Sequence, residues 1–353
     1  MTADVLDSRI PGITVVARLR AARRRRHALV IGVALLGALG LAVLALTLGA
    51  AGLTPVRALA AVVGMGERGD LFVVQHLRLP RVLAALFSGA GFALAGAIFQ
   101  SVLRNPLASP DILGVSTGAS LGAVWALLTL GLGGVAVAAW AFGGALLAAG
   151  AIWVLAWRRG LHAIRFVLVG VGIAYVCGST LAWLLSRAEV REAQTALLWT
   201  IGSVADVRGA RLTILGVGLG VLALVTALLS RTQAPLALGD DHAAALGVRV
   251  SATRAGLLLT AVALVAVATA AAGPVAFVAL VAPAIARRLM DDGGAALAAS
   301  TAVGALLVLS ADLLGQHLFP GMSVPVGIVT GLVGAPYLLW LLSGRSERRT
   351  AAL

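Results

Sequence analysis

The chain has 353 residues, of which 60% are hydrophobic and only 12% charged, and its mean hydropathy is +1.03. A soluble domain would be about a quarter charged, so this composition excludes an ordinary soluble protein and indicates several membrane spans. All 27 basic residues are arginine, which excludes the GK[ST] nucleotide-binding loop. The net charge of +13 does not indicate a nucleic-acid partner, because the arginines stand at the ends of apolar runs.

The chain begins with a polar, arginine-rich segment, residues 1–27, that ends in RRRRH. The apolar run after it, 28–52, is longer than the roughly 7–15 residues of a signal-peptide core. We therefore predict a cytoplasmic tail followed by a retained first span. A cleaved signal peptide is the alternative.

Apolar runs bounded by Arg, Pro, Asp or Gly predict about ten transmembrane helices, since a bilayer core about 30 Å thick needs roughly 20 apolar residues. They predict an all-α polytopic fold with one transmembrane domain at 28–343 and a C-terminal tail at 344–353. The runs are 28–52, 80–102, 111–131, 133–157, 164–186, 209–230, 252–272, 274–289, 294–314 and 324–343.

The arginines predict the orientation of these spans. With the N-terminus inside, 19 arginines lie on the cytoplasmic side and 8 on the outer side. Positive charge accumulates in cytoplasmic loops, so we predict that both termini are cytoplasmic. Segments 53–79 and 187–208 then lie outside, and segment 231–251 lies inside.

The span interiors carry almost no ionisable side chains; Asp312, near the outer end of the ninth span, is the exception. Ion-coupled carriers and intramembrane enzymes need such groups at membrane depth. The sequence therefore predicts no catalytic residue and no metal site in this chain, and an energy source outside the bilayer. A secondary transporter and an intramembrane enzyme remain as rival hypotheses.

The segment LRNPLASPD, 103–111, interrupts the apolar sequence between the second and third spans. Pro106 and Pro110 lack amide donors and disfavour helix in the residue before each. They predict a stiff, non-helical cytoplasmic turn. We expect Asp111 to lie in the first turn of the third span, where the helix dipole favours a carboxylate.

Small residues recur at helical spacing in the third, fifth and tenth spans, a pattern that allows close helix approach and also suits a wide pathway. The glycines concerned are Gly114, Gly118 and Gly122, then Gly170 and Gly178, then Gly327 and Gly331.

The cytoplasmic segment 231–251 contains a predicted short helix. Asp240 and Asp241 favour its start, and Gly247 suits its C-terminal cap. The helix is too short and too polar to cross a bilayer. On its own it is typical of an ordinary loop helix.

Five segments in order closely resemble the iron-siderophore and vitamin B12 permease family of ABC importers. They are RLPRVLAALFSGAGFALAGAIFQSVLRNPLASPDILGVSTGAS from Arg78, LGDDHAAALGV at 238–248, GPVAFVALVAP at 273–283, ADLL at 311–314 and PVGIVTGLVGAPYLLWLL at 325–342. The resemblance implies ten helices with both termini cytoplasmic, as in a type II ABC importer permease.

The resemblance also implies roles for individual residues. It assigns Arg78 and Arg81 to docking of a substrate-binding protein, and Asn105, Pro106 and Leu107 to a cytoplasmic gate. It assigns ATPase coupling to Leu238, Gly239, Asp240, Asp241, Ala244, Leu246 and Gly247, and it places a pathway around the fifth and tenth spans.

The partners implied by the resemblance are two ATPase subunits, which would hold ATP and Mg, a second permease subunit and an extracytoplasmic binding protein, with membrane lipid around the spans. No cofactor would be bound by this chain. Ala284 stands where many members have histidine, which favours a heterodimer of permeases over a homodimer. The implied cargo is a ferric siderophore carried across the bacterial cytoplasmic membrane, with cobalamin or haem as alternatives.

Overall fold

The computed structural model describes residues 11–49, 52–111, 113–157, 163–237, 239–290, 295–318 and 321–350. Within these ranges every regular element is helical. The helices are α1 (Pro11–Thr47), α2 (Pro55–Val62), α3 (Arg68–Phe72), α4 (Leu79–Val102), α5 (Val115–Leu128), α6 (Gly134–Ala156), α7 (Ala163–Arg187), α8 (Val190–Ile201), α9 (Ala210–Ala237), α10 (Asp240–Ala245), α11 (Val250–Ala272), α12 (Val278–Met290), α13 (Leu297–His317) and α14 (Val326–Thr350).

The all-α prediction is confirmed, and each of the ten apolar runs overlaps one helix: α1, α4 to α7, α9 and α11 to α14. Seven helices in the described part of the chain are long and apolar enough to cross a membrane. Helix α5 and the apolar part of α14 are shorter. Ten crossings, and the side on which the termini lie, therefore stay predictions.

The second span begins earlier than predicted. Pro80 was expected to start it, but helical structure runs without a gap from Arg68 to Val102 and contains a π-helical turn at Val73–Arg78. A proline breaks a regular helix because it lacks the donor for the preceding turn. The wider π-helical turn just before Pro80 accommodates this loss.

Helix α4 is the hub of the bundle. It packs against α13, α11, α12 and α9. In the most apolar stretch of this span 83% of the residues are buried, compared with 11% in the corresponding stretches of α7 and α9. Glycines allow this packing: a Cβ added to Gly89 would lie 2.3 Å from the carbonyl oxygen of Gly304 on α13, and one on Gly96 would lie 1.7 Å from that of Ala279 on α12. No larger residue fits at these crossings without moving a backbone.

Contacts between distant residues define two ends of the bundle. At one end Arg104 reaches Asp240, and at the other Arg81 reaches Asp312. We call the first the inner end and the second the outer end, after the orientation predicted from the arginines.

Candidate functional site

The turn after α4 lies at the inner end. Helix α4 ends at Val102, and Arg104 takes a left-handed backbone conformation with φ of +50°. The side-chain oxygen of Asn105 accepts a hydrogen bond of 2.9 Å from the amide of Leu107. An asparagine side chain that bonds the backbone two residues later stabilises a turn, and Pro106 between them cannot continue a helix. The predicted gate residues are therefore held in a stiff turn, with Asn105 exposed and Leu107 half-buried.

Asp111 does not lie in the first turn of the next helix, so that prediction was wrong. Helix α5 begins at Val115, after Gly114, whose φ of +78° breaks the backbone away from a helical path. The carboxylate instead accepts a hydrogen bond of 2.6 Å from the hydroxyl of Ser116 and a longer one from Ser109. Burial raises the pKa of the Asp111 carboxyl, although these hydroxyl donors oppose the shift.

The predicted coupling segment contains the short helix α10. It starts after Gly239, whose φ is +111°, and Gly247 follows it with φ of +82°. Ala243 is buried against the bundle, whereas Asp241 and Ala244 are exposed. Leu246 is also exposed, with 64% of its surface accessible. Helix α10 thus turns a small, partly apolar face away from the bundle; Leu238 lies outside the described residues.

Asp240 ties α10 to two other elements. Its carboxylate accepts two hydrogen bonds from Arg254 on α11, of 2.6 and 2.8 Å, and one of 3.1 Å from Arg104. Arg104 begins the turn at 104–107, which we call the gate turn after its predicted role. The hydrogen bonds from Arg254, together with the charges of Arg254 and Arg104, hold the pKa of the Asp240 carboxyl below its usual range. Helix α10 and the gate turn are therefore in direct polar contact.

The outer end holds the two arginines assigned to docking, and both have partners within the chain. Arg81 makes a bidentate ion pair with Asp312, in which two guanidinium nitrogens lie 2.9 and 3.0 Å from the carboxylate oxygens. The side-chain amide of Gln316 donates to the same carboxylate at 2.7 Å. Arg78 donates to the carbonyl oxygen of Leu46 at 2.6 Å. Their predicted docking role remains a prediction, and the structure adds a role that the sequence analysis missed, a link from α4 to α13.

A cavity of about 430 Å³ opens beside Arg81 at this end. Its wall includes Ser203, Asp206, Arg211 and Trp199. The cavity therefore combines hydroxyl, charged and aromatic groups at the outer end. Across the described residues, no group of three or more His, Cys, Asp or Glu side chains is arranged to hold a metal ion.

Several glycines of the predicted packing pattern lie at close helix contacts. Cβ atoms added to Gly118 and Gly122 would lie 2.7 and 2.3 Å from carbonyl oxygens of α6. A Cβ on Gly170 of α7 would lie 3.1 Å from the Cα of Leu113, and one on Gly327 would lie 1.8 Å from the carbonyl oxygen of Ile201. A larger side chain at these glycines would displace the neighbouring backbone.

Two glycines of the pattern face open space instead. An added Cβ on Gly178 would meet only Thr117, at 4.0 Å, and one on Gly331 would meet no described atom within 4 Å. The surrounding surfaces of α7 and α14 are rich in exposed apolar side chains, such as Tyr175 and Leu332. These faces are not covered by the described part of this chain.

Comparison with known proteins identifies the fold and the family. Residues 34–344 match the FecCD transport family. The chain is 41% identical to the ferric enterobactin transport system permease protein FepG of Escherichia coli, over 85% of this chain and 91% of that protein. It is 40% identical to the achromobactin transport system permease protein CbrC of Dickeya dadantii, over 88% and 90%.

A solved structure supports the same conclusion. A metal-chelate type ABC transporter in an inward-facing conformation superposes with a TM-score of 0.80 at 25% identity, over 89% of this chain and 98% of that one. The apolar helices and these relatives identify a multi-pass transport subunit of the bacterial cytoplasmic membrane. By the extent of the family match and of these identities, the chain is a permease that belongs to the FecCD transport family.

Proposed function

We propose that this chain is the permease subunit of an ATP-driven importer that carries a ferric siderophore into the cytoplasm. The observation that carries the proposal is the 41% identity to a ferric enterobactin permease along 85% of the chain. The scarcity of ionisable side chains inside the spans, where Asp312 is the exception, supports an external energy source, because an ion-coupled carrier needs ionisable groups at membrane depth. No catalytic residue and no bound cofactor are required of this chain.

The inner end would receive the ATPase subunits, which would hold ATP and Mg. Helix α10 supports this role because it projects Asp241, Ala244 and Leu246 away from the bundle. Small and apolar side chains allow a helix to lie closely in a cleft of a partner. The termini would lie on the same cytoplasmic side, as the arginine distribution predicts.

The pathway would lie between this chain and a second permease subunit. The open faces of α7 and α14, with Gly178 and Gly331, are suited to line it because they are apolar and have no cover within the described residues. The turn at Asn105–Leu107 would close the pathway at the inner end. Ala284, in place of the histidine common in the family, favours a second permease of different sequence.

The outer end would receive a substrate-binding protein. Arg81 lines the outer cavity and keeps 20% of its side chain exposed although it is paired with Asp312. Acidic side chains of a binding protein would approach the exposed part of the Arg81 guanidinium at this rim. Such rim charges affect the association rate and its salt dependence more than the final affinity.

Uptake by cells lacking this chain tests the proposal. Cells with and without the gene would be supplied in turn with a radioactive iron catecholate, an iron hydroxamate, haem and cobalamin. We expect loss of uptake of one iron chelate, restored by the intact chain. Loss restricted to haem or cobalamin would overturn the siderophore assignment, and unchanged uptake of all four would overturn the substrate claim altogether.

The energy source is tested in the same cells. Vanadate should stop uptake if an ATPase drives it, and uptake should continue for short times after the proton gradient is dissipated while ATP is maintained. The opposite pattern, with vanadate without effect and the uncoupler inhibitory, would identify a secondary transporter.

A further inference from the structure

We propose that Arg104, Asp240 and Arg254 form the mechanical link by which movement of helix α10 is transmitted to the gate turn. The proposal rests on the proposed function, since it assigns the coupling of ATPase and gate to three named side chains. The three residues are far apart in sequence: Arg104 lies 136 residues before Asp240, and Arg254 lies 14 residues after it.

Arg104 binds the junction between α9 and α10 through two hydrogen bonds. The same terminal nitrogen of its guanidinium donates to the carbonyl oxygen of Leu236 at 2.7 Å and to the carboxylate of Asp240 at 3.1 Å. Leu236 is in the last turn of α9, and Asp240 is the first residue of α10. A displacement of this junction that keeps these hydrogen bonds therefore moves the guanidinium of Arg104 with it.

The gate turn cannot absorb that displacement easily. Arg104 has φ of +50°, in the left-handed region that a side chain disfavours. The next residue, Asn105, is held by its amide on the carbonyl oxygen of Gln100 at 3.2 Å and by its side chain on the amide of Leu107. Because Arg104 and Asn105 share one peptide plane, motion of Arg104 moves the residue assigned to the gate.

Arg254 provides the fixed side of the link. It holds Asp240 with two hydrogen bonds and lies in the first turns of α11, which packs on the hub helix α4. Asp240 is thus shared between an arginine on a fixed helix and an arginine on the gate turn. A shift of α10 therefore changes how strongly Asp240 binds each of the two arginines.

The exposure of the link is suited to a contact that changes during a transport cycle. Asp240 and Arg104 have side chains that are 48% and 50% exposed. Ion pairs in such settings contribute little to stability, since water solvates the separated charges almost as well. The contact can therefore be made and broken without unfolding its surroundings.

Neutral substitutions in the complete transporter test the link. Arg104→Gln and Asp240→Asn would be reconstituted with the ATPase, the partner permease and the binding protein, and both ATP hydrolysis and uptake of the iron chelate would be measured. We expect the amount of chelate transported per ATP to fall about fivefold or more, with hydrolysis and subunit assembly retained. Arg165→Gln, which removes an arginine at the inner end of α7, is the matched control and should leave the ratio unchanged.

A charge-conserving substitution separates transmission from a structural role. Arg104→Lys keeps a positive charge and an N–H donor for Asp240, so it should retain most of the transport per ATP that Arg104→Gln loses. If the side chain of Arg104 only packs at the inner end, Arg104→Lys and Arg104→Gln should give the same transport per ATP.

Each outcome is decisive for one of the two proposals. If the unsubstituted transporter shows no ATP-dependent uptake of any iron chelate, the proposed function fails. If it transports, but Arg104→Gln and Asp240→Asn couple normally or Arg104→Lys couples no better than Arg104→Gln, the function stands and the link is overturned.

Discussion

Helix α4 has an arginine near each end, and the two are set in opposite environments. At the outer end Arg81 pairs with Asp312, whose side chain is only 3% exposed. At the inner end Arg104 pairs with Asp240, whose side chain is 48% exposed and is shared with Arg254. An arginine–aspartate ion pair is therefore largely buried at the outer end and open to water at the inner end.

The difference in burial separates a permanent contact from a reversible one. Separating a buried pair leaves a charge without water or partner, which costs several kcal/mol. Separating an exposed pair costs about 1 kcal/mol or less. The outer pair therefore fixes α4 to α13 throughout, whereas the inner pair can rearrange. Under the proposed function, a pair that holds at the outer end and a pair that rearranges at the inner end would let the proposed gate move while α4 stays packed on α13.

The largest effect is expected when the outer pair is broken. Asp312→Asn leaves Arg81 without its counter-ion in a half-buried site, so we expect a loss of about 3 kcal/mol of stability. Thermal unfolding of the purified protein in detergent measures it. Asp206→Asn removes an acid from an exposed pair with Arg208 at the same end and should change stability by less than about 1 kcal/mol. Equal losses in both variants would show that the outer pair is not a special contact.

A second large effect is expected at the crossing of α4 and α13. Gly304→Ala would place a Cβ 2.2 Å from that of Ala93 and 2.4 Å from the carbonyl oxygen of Gly89. Overpacking of this kind costs about 1–3 kcal/mol.

Gly150→Ala is the matched control for Gly304→Ala. Gly150 is also inside a helix, but an added Cβ there meets nothing within 4 Å. Alanine is the better helix former, so this variant should be neutral or slightly more stable in the same unfolding measurement. A Gly304→Ala protein as stable as Gly150→Ala would contradict the tight crossing.

The sequence predicts the features that depend on neighbours along the chain. Apolar runs have the length of spans, and the double-proline segment around Pro106 gives a turn wherever the rest of the chain lies. The short helix at Asp240 follows from its local signals in the same way. These elements are present in the structure near the predicted positions.

The sequence could not predict contacts that depend on how helices pack. Arg81 and Asp312 are 231 residues apart, and only the packing of α4 on α13 brings them together. One signal was available: an acid inside an apolar span requires a partner, and Arg81 was predicted at the same membrane face. The wrong placement of Asp111 in the first turn of a helix has a local cause. Gly114 adopts a left-handed conformation, so α5 begins only at Val115.

A smaller effect is expected at Asp111, which lies between the two extremes of exposure. Its raised pKa means that the folded state favours the neutral acid, so the wild-type protein should gain stability as pH falls from the folded pKa towards the unfolded one. Asp111→Asn keeps an oxygen acceptor for Ser116 without the charge. We expect it to unfold at a slightly higher temperature at pH 7 and to lose the pH-dependent gain. A lower unfolding temperature at pH 7 would show that the charge itself stabilises the turn.

The smallest effect on stability is expected at Asp240. Its lowered pKa means that the stabilising contribution of the pair is complete above the ordinary carboxyl pKa and is lost only as pH falls through the lower, folded value. Between pH 6 and pH 8 the unfolding temperatures of wild type and Asp240→Asn should therefore change with pH to the same extent. The variant should lose less than about 1 kcal/mol of stability at low salt and still less at high salt. A loss as large as that of Asp312→Asn would place the inner pair among the fixed contacts and remove the contrast between the two ends. A small loss of stability combined with a large loss of coupling is the combination that a reversible contact, and not a structural one, produces.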